Sequence, residues 1–327
     1  MHTMLEINDA LHGYIRVPSY VQKVLDTPLM QRLKYVLQCG TVNQVFISAT
    51  HSRFAHSLGA MHLARLYVEM LQLDENDIVV RAFVLASLLH DIGHGPLSHV
   101  FERAIIGTGI HDVYKDHDVW RHVLLRENPE LSSACGPEMV GYITDIWDGK
   151  IVNFYTLLSG QAGVDRLDYL LRDTMFTNPV TSLRPTCVQR IMSNTFIVDG
   201  RVHYNSKARE TIDTLLATRW YLYKNVYTHK TVHAADVLVL KLFRDPAALA
   251  SIQQFMDPVN FVRFHDATLL VKMDDFTDRR LPKMRHEVRV PEPCAEYDAD
   301  PECFRIVIRY DDAPGSLTEY IYRWFDF

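Results

Sequence analysis

The chain has 327 residues, of which 48% are hydrophobic, and this is enough to bury one large core or two smaller ones. Its formal net charge of −6 provides no overall positive field for a polyanion, so nucleic acid is not expected as the main partner. The five cysteines are scattered and never spaced as Cys-x-x-Cys, which argues against a disulfide framework and against a thiolate zinc site. We therefore expect an intracellular protein, cytoplasmic or nuclear.

The amino terminus and the apolar runs argue against secretion and membrane insertion. The first ten residues carry Glu6 and Asp9 and contain no apolar signal-peptide core. The longest apolar run, Ala82–Leu89, is far too short to cross a bilayer. We expect no signal peptide and no membrane partner.

From about Ser19 to Arg172 the pattern is repeatedly helical. Pro28 after Thr27 indicates a helix start, and the apolar face that follows is formed by Leu29, Leu33, Val36 and Leu37. Two further segments repeat apolar residues at spacings of three and four, which predicts amphipathic helices packed on a core: Met61, Ala64, Val68 and Leu71, then Val84, Leu85, Leu88 and Leu89. The second helix should end at His90, because two glycines and a proline follow within six residues.

The character of the chain changes after about Lys241. Helical patterns at Val164–Asp173 and Glu210–Asn225 give way to short, β-branched segments such as Ala267–Met273 and Phe304–Tyr310. Prolines punctuate this region at Pro282, Pro291, Pro293 and Pro301. We predict a mainly α protein, with a helical domain over residues 1–240 and a small mixed α/β subdomain over residues 241–327.

Histidine and aspartate side chains cluster where the predicted helices end. The pair His90-Asp91 offers an imidazole and a carboxylate side by side, which suits a divalent metal, although such a pair alone is common by chance. Its context is more specific. Upstream lies HSRFAH, ending at His56, downstream lie His94 and His99, and Asp165 follows within GVDRLDY.

This ordered set resembles the HD superfamily of metal-dependent phosphohydrolases, and within it the deoxynucleoside triphosphate (dNTP) triphosphohydrolases that combine a SAM and an HD domain. The resemblance runs from about Ile7 to Lys230 and includes INDALHG, DTPLMQRLKYVLQ, HSRFAHSLG, LLHDIGHGPLSH, GVDRLDYLLRD and VYTHK. It implies that residues 1–240 form a helical HD domain. It also implies a divalent metal, which the sequence does not identify as iron, manganese, zinc or magnesium, with four ligands: His56, His90, Asp91 and Asp165.

The same resemblance implies a dNTP substrate, hydrolysed to deoxynucleoside and inorganic triphosphate. The catalytic residues that it implies surround the scissile phosphate, with His117 as the general acid: His117, His94, His99 and Arg53. The substrate-binding residues that it implies hold the phosphates and the sugar: Gln38, Arg166, Tyr169, Asp173, Arg219 and Tyr227. Among these, Gln38 and Asp173 match contacts to the 3′-hydroxyl, and Tyr227 matches the aromatic that crowds the 2′ position.

Spacing supports a shared surface without any family knowledge. Asp165, Tyr169 and Asp173 are four residues apart and project from one face of a helix. Arg219, Tyr223 and Tyr227 repeat that geometry if their helix persists.

Two residues near the motifs are not expected to bind metal or substrate, and three others differ from the family pattern. We expect a structural role for His51 and a solvated or capping role for Asp168. Cys39 replaces a leucine beside the sugar, Arg166 replaces a lysine on the phosphates, and Asp118 replaces a glutamate after His117.

Regulation is expected to differ from that of the SAM-containing relatives. We expect no SAM domain, because the resemblance begins at Ile7. A homo-oligomer is expected, with hydrolysis that depends little on GTP. Asp26 and Gln31 match the residues that read the activating guanine in the relatives. Lys34, Asn194 and Asn205 stand where the family pattern has arginines that bind the activating nucleotides.

Two alternative functions stay open. In the first, the chain is a different HD phosphohydrolase that acts on a nucleoside monophosphate or a cyclic nucleotide. In the second, it is a catalytically silent scaffold that binds nucleotides. The joint presence of the sugar and phosphate residues favours the triphosphate over the first alternative, and the four complete metal ligands argue against the second.

Overall fold

A computed structural model of the chain describes residues 5–110, 112–243, 245–270, 305–313 and 316–323. Over these residues the fold is mainly α, as predicted. The helices are α1 (Ser19–Leu25), α2 (Pro28–Arg32), α3 (Arg53–Met70), α4 (Ile78–Leu89), α5 (His99–Ile105), α6 (His117–Glu127), α7 (Pro129–Cys135), α8 (Pro137–Trp147), α9 (Val152–Ser159), α10 (Val164–Thr177), α11 (Pro185–Ser193), α12 (Arg209–Leu222), α13 (Lys230–Leu242), α14 (Pro246–Gln253) and α15 (Asp266–Leu270). The strands are β1 (Leu5–Asp9), β2 (Gly13–Val17), β3 (Thr195–Val198), β4 (Arg201–Asn205), β5 (Arg305–Ala313) and β6 (Ser316–Arg323).

Helix α4 lies at the centre of the helical core because it is apolar on nearly every side. It begins where the Asp77 carboxylate accepts the Val79 backbone N–H at 2.8 Å, which caps the first turn. From Ala82 to Leu89 every residue is buried. Helices α3, α8 and α9 pack around α4, so the residues that follow its carboxyl end emerge deep inside the protein.

Helix α3 packs between α4 and α10, and a glycine sets how closely α10 approaches. A Cβ atom on Gly59 would overlap the Asp168 carboxylate and crowd the Arg172 guanidinium. The absence of a side chain at Gly59 therefore brings the polar face of α10 against α3. The candidate functional site lies at this contact between α3 and α10.

The structure corrects two helix predictions. The helix that starts at Pro28 ends at Arg32 instead of continuing to Leu37, and Val36 is already extended. The reason is pairing with the next segment, since the Arg53 N–H donates to the Val36 carbonyl at 2.9 Å and the Gln38 N–H donates to the His51 carbonyl at 3.0 Å. Helix α12 likewise ends before Asn225 and is followed by a π-helical turn, Tyr223–Tyr227.

The two sheets are small. Strands β1 and β2 form an antiparallel hairpin, and the second sheet has the order β3-β4-β5-β6, with β4 and β5 parallel and the other pairs antiparallel. The strand expected near Phe304–Tyr310 is present as β5. Residues 267–270, expected as a strand, are helical in α15, and the rest of that segment and the four prolines lie outside the described residues.

The segment 245–270 packs onto the helical core. Phe261 and Phe264 are fully buried, with Phe264 5.3 Å from the ring centroid of Phe101 and Phe261 5.5 Å from that of Trp120. The division into domains at residue 240 stays a prediction. Among the described residues, no helix combines the length and apolar character that crossing a membrane requires.

Candidate functional site

Four predicted metal ligands meet where α3, α4 and α10 come together, and we call them the metal tetrad: His56, His90, Asp91 and Asp165. The Nε2 atoms of His56 and His90 are 3.0 Å apart. The Asp165 Oδ1 atom lies 3.3 Å from His56 Nε2 and 3.6 Å from His90 Nε2. Asp91 Oδ1 is 3.4 Å from His90 Nε2. Asp165 is the most exposed of the four, with 30% of its side chain accessible.

These separations suit a divalent metal. An ion bonded to nitrogen and oxygen ligands at about 2.0–2.2 Å holds neighbouring ligand atoms about 2.8–3.6 Å apart. The ligand atoms of His56, His90 and Asp165 are within this range of one another. The tetrad therefore has the donor set and the spacing of a metal site.

Hydrogen bonds behind the two imidazoles fix their lone pairs. The Nδ1 atom of His56 donates to the Asp168 carboxylate at 2.8 Å, and that of His90 donates to the Ser87 carbonyl at 2.8 Å. In the neutral rings both Nε2 atoms then carry a lone pair, and these lone pairs face each other at 3.0 Å. When both rings are neutral, the pair therefore offers two nitrogen ligands to a metal cation.

Asp168 corrects a sequence expectation. It was expected to be solvated or capping, but it is completely buried. Besides His56, it binds His12 Nε2 at 2.6 Å and the Arg172 guanidinium at 2.9 Å. It thus orients one metal ligand and is itself held by two donors.

The carboxylates around the tetrad create a field that favours positive charge. Burial acts to lower the pKa of His56, but hydrogen bonds to Asp165 and Asp168 and the charge of Asp91 outweigh it and raise the pKa to about 10. Burial acts to raise the pKa of Asp91, but Arg53 and the nearby histidines hold it well below its usual value. A metal cation is stabilised by the same field.

A second group of side chains lies beside the tetrad, and we call it the Glu102 cluster: His94, His99, Glu102 and His117. Glu102 is its hub. Its carboxylate oxygens lie 2.9 Å from His117 Nδ1, 3.0 Å from His99 Nδ1 and 3.1 Å from His94 Nδ1. The rings of His94 and His117 stack with centroids 3.7 Å apart, whereas the His99 side chain is 64% exposed.

The two stacked histidines differ in the direction of their pKa shifts. Burial and the nearby Arg53 lower the pKa of His94 to about 3, so its ring is neutral. Burial acts in the same direction on His117, but Glu102 outweighs it and raises the pKa of His117. The cluster therefore favours the protonated form of one imidazole and the neutral form of the other. Asp118, expected as the partner of His117, lies 3.6 Å from its Nε2 atom and pairs with Arg121 at 2.5 Å.

Arg53 binds protein groups with all three of its guanidinium nitrogens. It donates to Asp91 Oδ2 at 2.6 Å, to Ser98 Oγ at 2.7 Å and to the Gln38 carbonyl at 3.3 Å. In this structure it holds a metal ligand and two loops together.

A third group surrounds Asp173, two turns after Asp165 on α10, and we call it the Asp173 cluster: Cys39, His51, Asp173 and Tyr227. The Tyr227 hydroxyl donates to Asp173 Oδ2 at 2.5 Å, and His51 Nε2 lies 2.7 Å from Asp173 Oδ1. His51 also stacks on Phe176, which fits the structural role expected for it. The Oε1 atom of Gln38, predicted to contact the substrate, is buried and has no hydrogen-bond partner among the described residues.

The remaining predicted substrate residues have two different environments. Arg219 lies beside Tyr169 and Tyr223, with its guanidinium carbon 5.3 Å from the centroid of the Tyr223 ring. Arg166 donates to the backbone carbonyls of Ser159 and Gly160, the latter at 2.5 Å. Arg166 therefore satisfies the carboxyl end of α9 in this structure.

Comparison with known proteins places this site in a family. The family model described as HD domain matches residues 53–148. Residues 53–148 of this chain therefore carry an HD domain. The match contains His56, His90 and Asp91 of the tetrad and the whole Glu102 cluster.

The relatives of this HD-domain protein include dNTP hydrolases. The deoxynucleoside triphosphate triphosphohydrolase SAMHD1 homolog of Dictyostelium discoideum is 30% identical over 86% of this chain and 57% of the relative. The human deoxynucleoside triphosphate triphosphohydrolase SAMHD1 is 39% identical over 43% of this chain and 23% of the relative. The chain spans little more than half the length of the first of them.

Solved structures share the fold of the HD-domain protein. The crystal structure of a phosphohydrolase from Bacteroides thetaiotaomicron superposes with a TM-score of 0.73 at 25% identity and covers 97% of this chain and 94% of that one. That of a hypothetical protein from Aquifex aeolicus has a TM-score of 0.70 at 27% identity and covers 86% and 74%.

Functional residues outside the predicted set have only weak signals in sequence. Glu102 lies three residues after His99, a spacing that brings two side chains together on a helix, but many exposed pairs share it. Asp168 has a better signal, because Arg172 follows at i+4. The contribution of Ser98 depends on a loop conformation that the sequence does not reveal.

Proposed function

We propose that this chain is a metal-dependent phosphohydrolase that cleaves dNTPs to deoxynucleoside and inorganic triphosphate. The observation that carries the proposal is the metal tetrad with two further groups next to it: His94 of the Glu102 cluster lies 3.5 Å from Asp91, and Asp173 follows Asp165 by two turns of α10. An acid, a metal site and a pocket for a hydroxylated ligand are the parts that this hydrolysis needs. The names of the SAMHD1 relatives support the choice of substrate.

The reaction breaks the bond between the α-phosphorus and the 5′-oxygen of the nucleoside. When bound, a divalent metal at the tetrad would activate water and polarise a phosphate oxygen. His117, held protonated by Glu102, donates a proton to the departing 5′-oxygen. The water supplies the oxygen that the triphosphate keeps, so the products are one deoxynucleoside and one inorganic triphosphate.

The chain's other residues bind and orient the substrate in this proposal. Asp173 and Gln38 accept or donate hydrogen bonds at the 3′-hydroxyl, and the ring of Tyr227 fills the space of a 2′-hydroxyl. Arg219 and Tyr169 bind phosphate oxygens, and Arg53 holds Asp91 in place for the metal. Neutral His94 accepts or passes a proton near the attacked phosphorus.

A shorter phosphate substrate is the second candidate, and one observation favours it. Two cations expected on the triphosphate, Arg53 and Arg166, bind carboxylate, hydroxyl or carbonyl oxygens of the protein. A nucleoside monophosphate needs fewer free cations than a triphosphate does.

A product assay separates the two candidates. Purified protein is incubated with Mn²⁺ and each of the four dNTPs, and separately with each deoxynucleoside monophosphate. We expect free deoxynucleoside and inorganic triphosphate from the dNTPs, resolved by ion-exchange chromatography. Release of orthophosphate from monophosphates without cleavage of dNTPs would establish the second candidate in place of the first.

A further inference from the structure

Two buried charged residues outside the HD-domain match, Arg32 and Asp266, lie directly beneath the loop that carries His94. Arg32 is 2% exposed and Asp266 is 5% exposed. Neither is among the residues that bind metal or substrate in the proposed function. Their hydrogen bonds all go to backbone groups of the loops around the site, which is unusual for charged side chains at this depth.

Arg32 binds three carbonyl oxygens. Its guanidinium donates to the carbonyls of Ile92, His94 and Phe264, each at 2.8 Å. The guanidinium also lies over the ring of Phe261, with its carbon 4.3 Å from the ring centroid. One side chain thereby connects the turn after Asp91 to the segment 245–270.

Asp266 binds two N–H groups in two different loops. Its Oδ2 atom accepts the Leu37 N–H at 2.9 Å, and its Oδ1 atom accepts the Leu97 N–H at 2.8 Å. Leu37 precedes Gln38, and Leu97 lies between His94 and His99. The carboxylate therefore sets the distance between a loop of the substrate pocket and the loop of the histidines.

The loop that Asp266 holds is strained. Leu97 and Ser98 have φ angles of 57° and 58°, a region that non-glycine residues rarely occupy. Such a conformation persists only when surrounding contacts determine it. Besides Asp266, Ser98 Oγ makes such contacts, since it donates to the Leu37 carbonyl at 2.8 Å and accepts from Arg53 Nε at 2.7 Å. Two of these contacts, from Asp266 and from Ser98 Oγ, involve Leu37.

We infer that Asp266, with Arg32, is a positioning residue that holds the His94–His99 loop in its strained conformation against the Gln38 loop. This inference rests on the proposed hydrolytic function of the same site. It assigns a role in the reaction to α15, which lies more than a hundred residues after the last residue of the HD-domain match.

The test compares two variants that make the same chemical change. Asp266→Asn removes a charge and one acceptor from the loop junction. Asp257→Asn is the matched control, because Asp257 Oδ1 also accepts two backbone N–H groups, from Val259 and Asn260 at 2.9 Å each, in a surface turn of the same segment. Two quantities are measured: hydrogen exchange of peptides containing Leu37 and Leu97, and steady-state dNTP hydrolysis.

For Asp266→Asn we expect faster exchange at both peptides than in Asp257→Asn. We also expect kcat to fall about 10- to 100-fold, the effect of misplacing a reacting group by about 1 Å, with a change in KM of about 3-fold or less. A residue that only stabilises the fold would leave kcat per folded molecule unchanged. Exchange and kcat equal to those of the control would overturn the inference.

The fold should survive this change. Burial raises the pKa of Asp266 to about 6, although the Leu37 and Leu97 N–H groups and Arg32 act to lower it. Above that pH the ionised Asp266 carboxylate lowers the free energy of unfolding, because its pKa is higher in the folded than in the unfolded chain. We therefore expect the fold to tolerate the neutral asparagine of the same size. If Asp266→Asn nevertheless unfolds, Ser98→Gly is the second variant, since glycine accepts a positive φ and the change removes the hydrogen bonds of Ser98 Oγ with Leu37 and Arg53. Unchanged kcat in Ser98→Gly would then overturn the inference.

The two proposals fail separately. A wild-type protein that cleaves no dNTP refutes the proposed substrate, whereas the exchange comparison still decides whether Asp266 holds the loop. If both single variants lower kcat, the double variant Asp266→Asn with Ser98→Gly should lose less than the product of the two effects, because both changes free the same loop. Fully multiplicative losses would contradict a shared role.

Discussion

The metal tetrad and the Asp173 cluster both contain histidine and aspartate side chains but differ in their hydrogen bonding. In each, histidine and carboxylate atoms lie within 4.8 Å of one another. In the Asp173 cluster, Tyr227 and His51 supply one donor to each oxygen of Asp173. In the tetrad, the Nδ1 atoms of His56 and His90 bind groups away from the centre, and their Nε2 atoms face each other at 3.0 Å.

This difference shows what distinguishes a metal site from a polar network. Both oxygens of Asp173 already have a donor, whereas in the tetrad two Nε2 atoms and an Asp165 oxygen converge within 3.6 Å of one another. We therefore expect a cation to bind the tetrad rather than the Asp173 cluster. The predictions below test this contrast.

The largest effect is expected at Asp91, which belongs to the tetrad. Asp91→Ala should remove bound metal and lower hydrolysis by at least about 10²–10³-fold, the loss expected when a main electrostatic stabiliser is removed. His51→Asn, in the Asp173 cluster, should retain the metal content of the wild type. Metal is measured by inductively coupled plasma mass spectrometry and folding by circular dichroism. Loss of metal in His51→Asn, or retained activity in Asp91→Ala, would refute the contrast.

A smaller effect is expected at Glu102, together with a shift in the pH profile. Glu102 raises the pKa of His117. In the proposed function the active form of His117 is protonated, so we expect activity to fall as the pH rises through that pKa. Glu102→Gln should lower kcat about 10- to 100-fold and move the alkaline limb of the log kcat profile to lower pH.

Asp118→Asn is the control for Glu102, because Asp118 lies farther from His117, at 3.6 Å, and pairs with Arg121. We expect a smaller shift of the alkaline limb in this variant. An unmoved limb in Glu102→Gln would show that another group is the acid.

Asp168 is expected to act on the tetrad through His56 alone. Asp168→Asn keeps the size of the side chain but weakens the acceptor for His56 Nδ1, so we expect metal affinity to fall about 10- to 100-fold. Titration with Mn²⁺ followed by activity gives the apparent affinity. Excess Mn²⁺ should restore much of the activity. A loss that no concentration of metal restores would indicate damage to the fold around Arg172.

The four residues of the tetrad could be singled out from the sequence because they lie in recognisable motifs, with His90 and Asp91 where glycine and proline stop α4, and the structure brings them together. The sequence predicted Asp168 wrongly, since burial of that carboxylate depends on Gly59 of another helix. The backbone conformation at Tyr227 could not be predicted either, because the change from α12 to a π-helical turn has no clear signature in the sequence. The hydrogen bonds from Asp266 of α15 could not be predicted from the sequence, because the bond to Leu97 joins residues more than 160 positions apart.

The smallest effect is expected in the Asp173 cluster, at Tyr227. In the proposed function the Tyr227 ring excludes a 2′-hydroxyl, while its hydroxyl group holds Asp173. Tyr227→Ala should therefore narrow the ratio of kcat/KM for dATP over ATP by about 10-fold, within the range by which pocket shape discriminates substrates. Tyr227→Phe keeps the ring and should change this ratio by about 3-fold or less. Metal content should match the wild type in both variants, because Tyr227 is not one of the predicted metal ligands. Equal rates on ATP and dATP in the wild type would show that the enzyme does not select for the deoxy sugar. An equal decrease of the dATP/ATP ratio in both variants would show that the selectivity depends on the Tyr227 hydroxyl group and not on its ring.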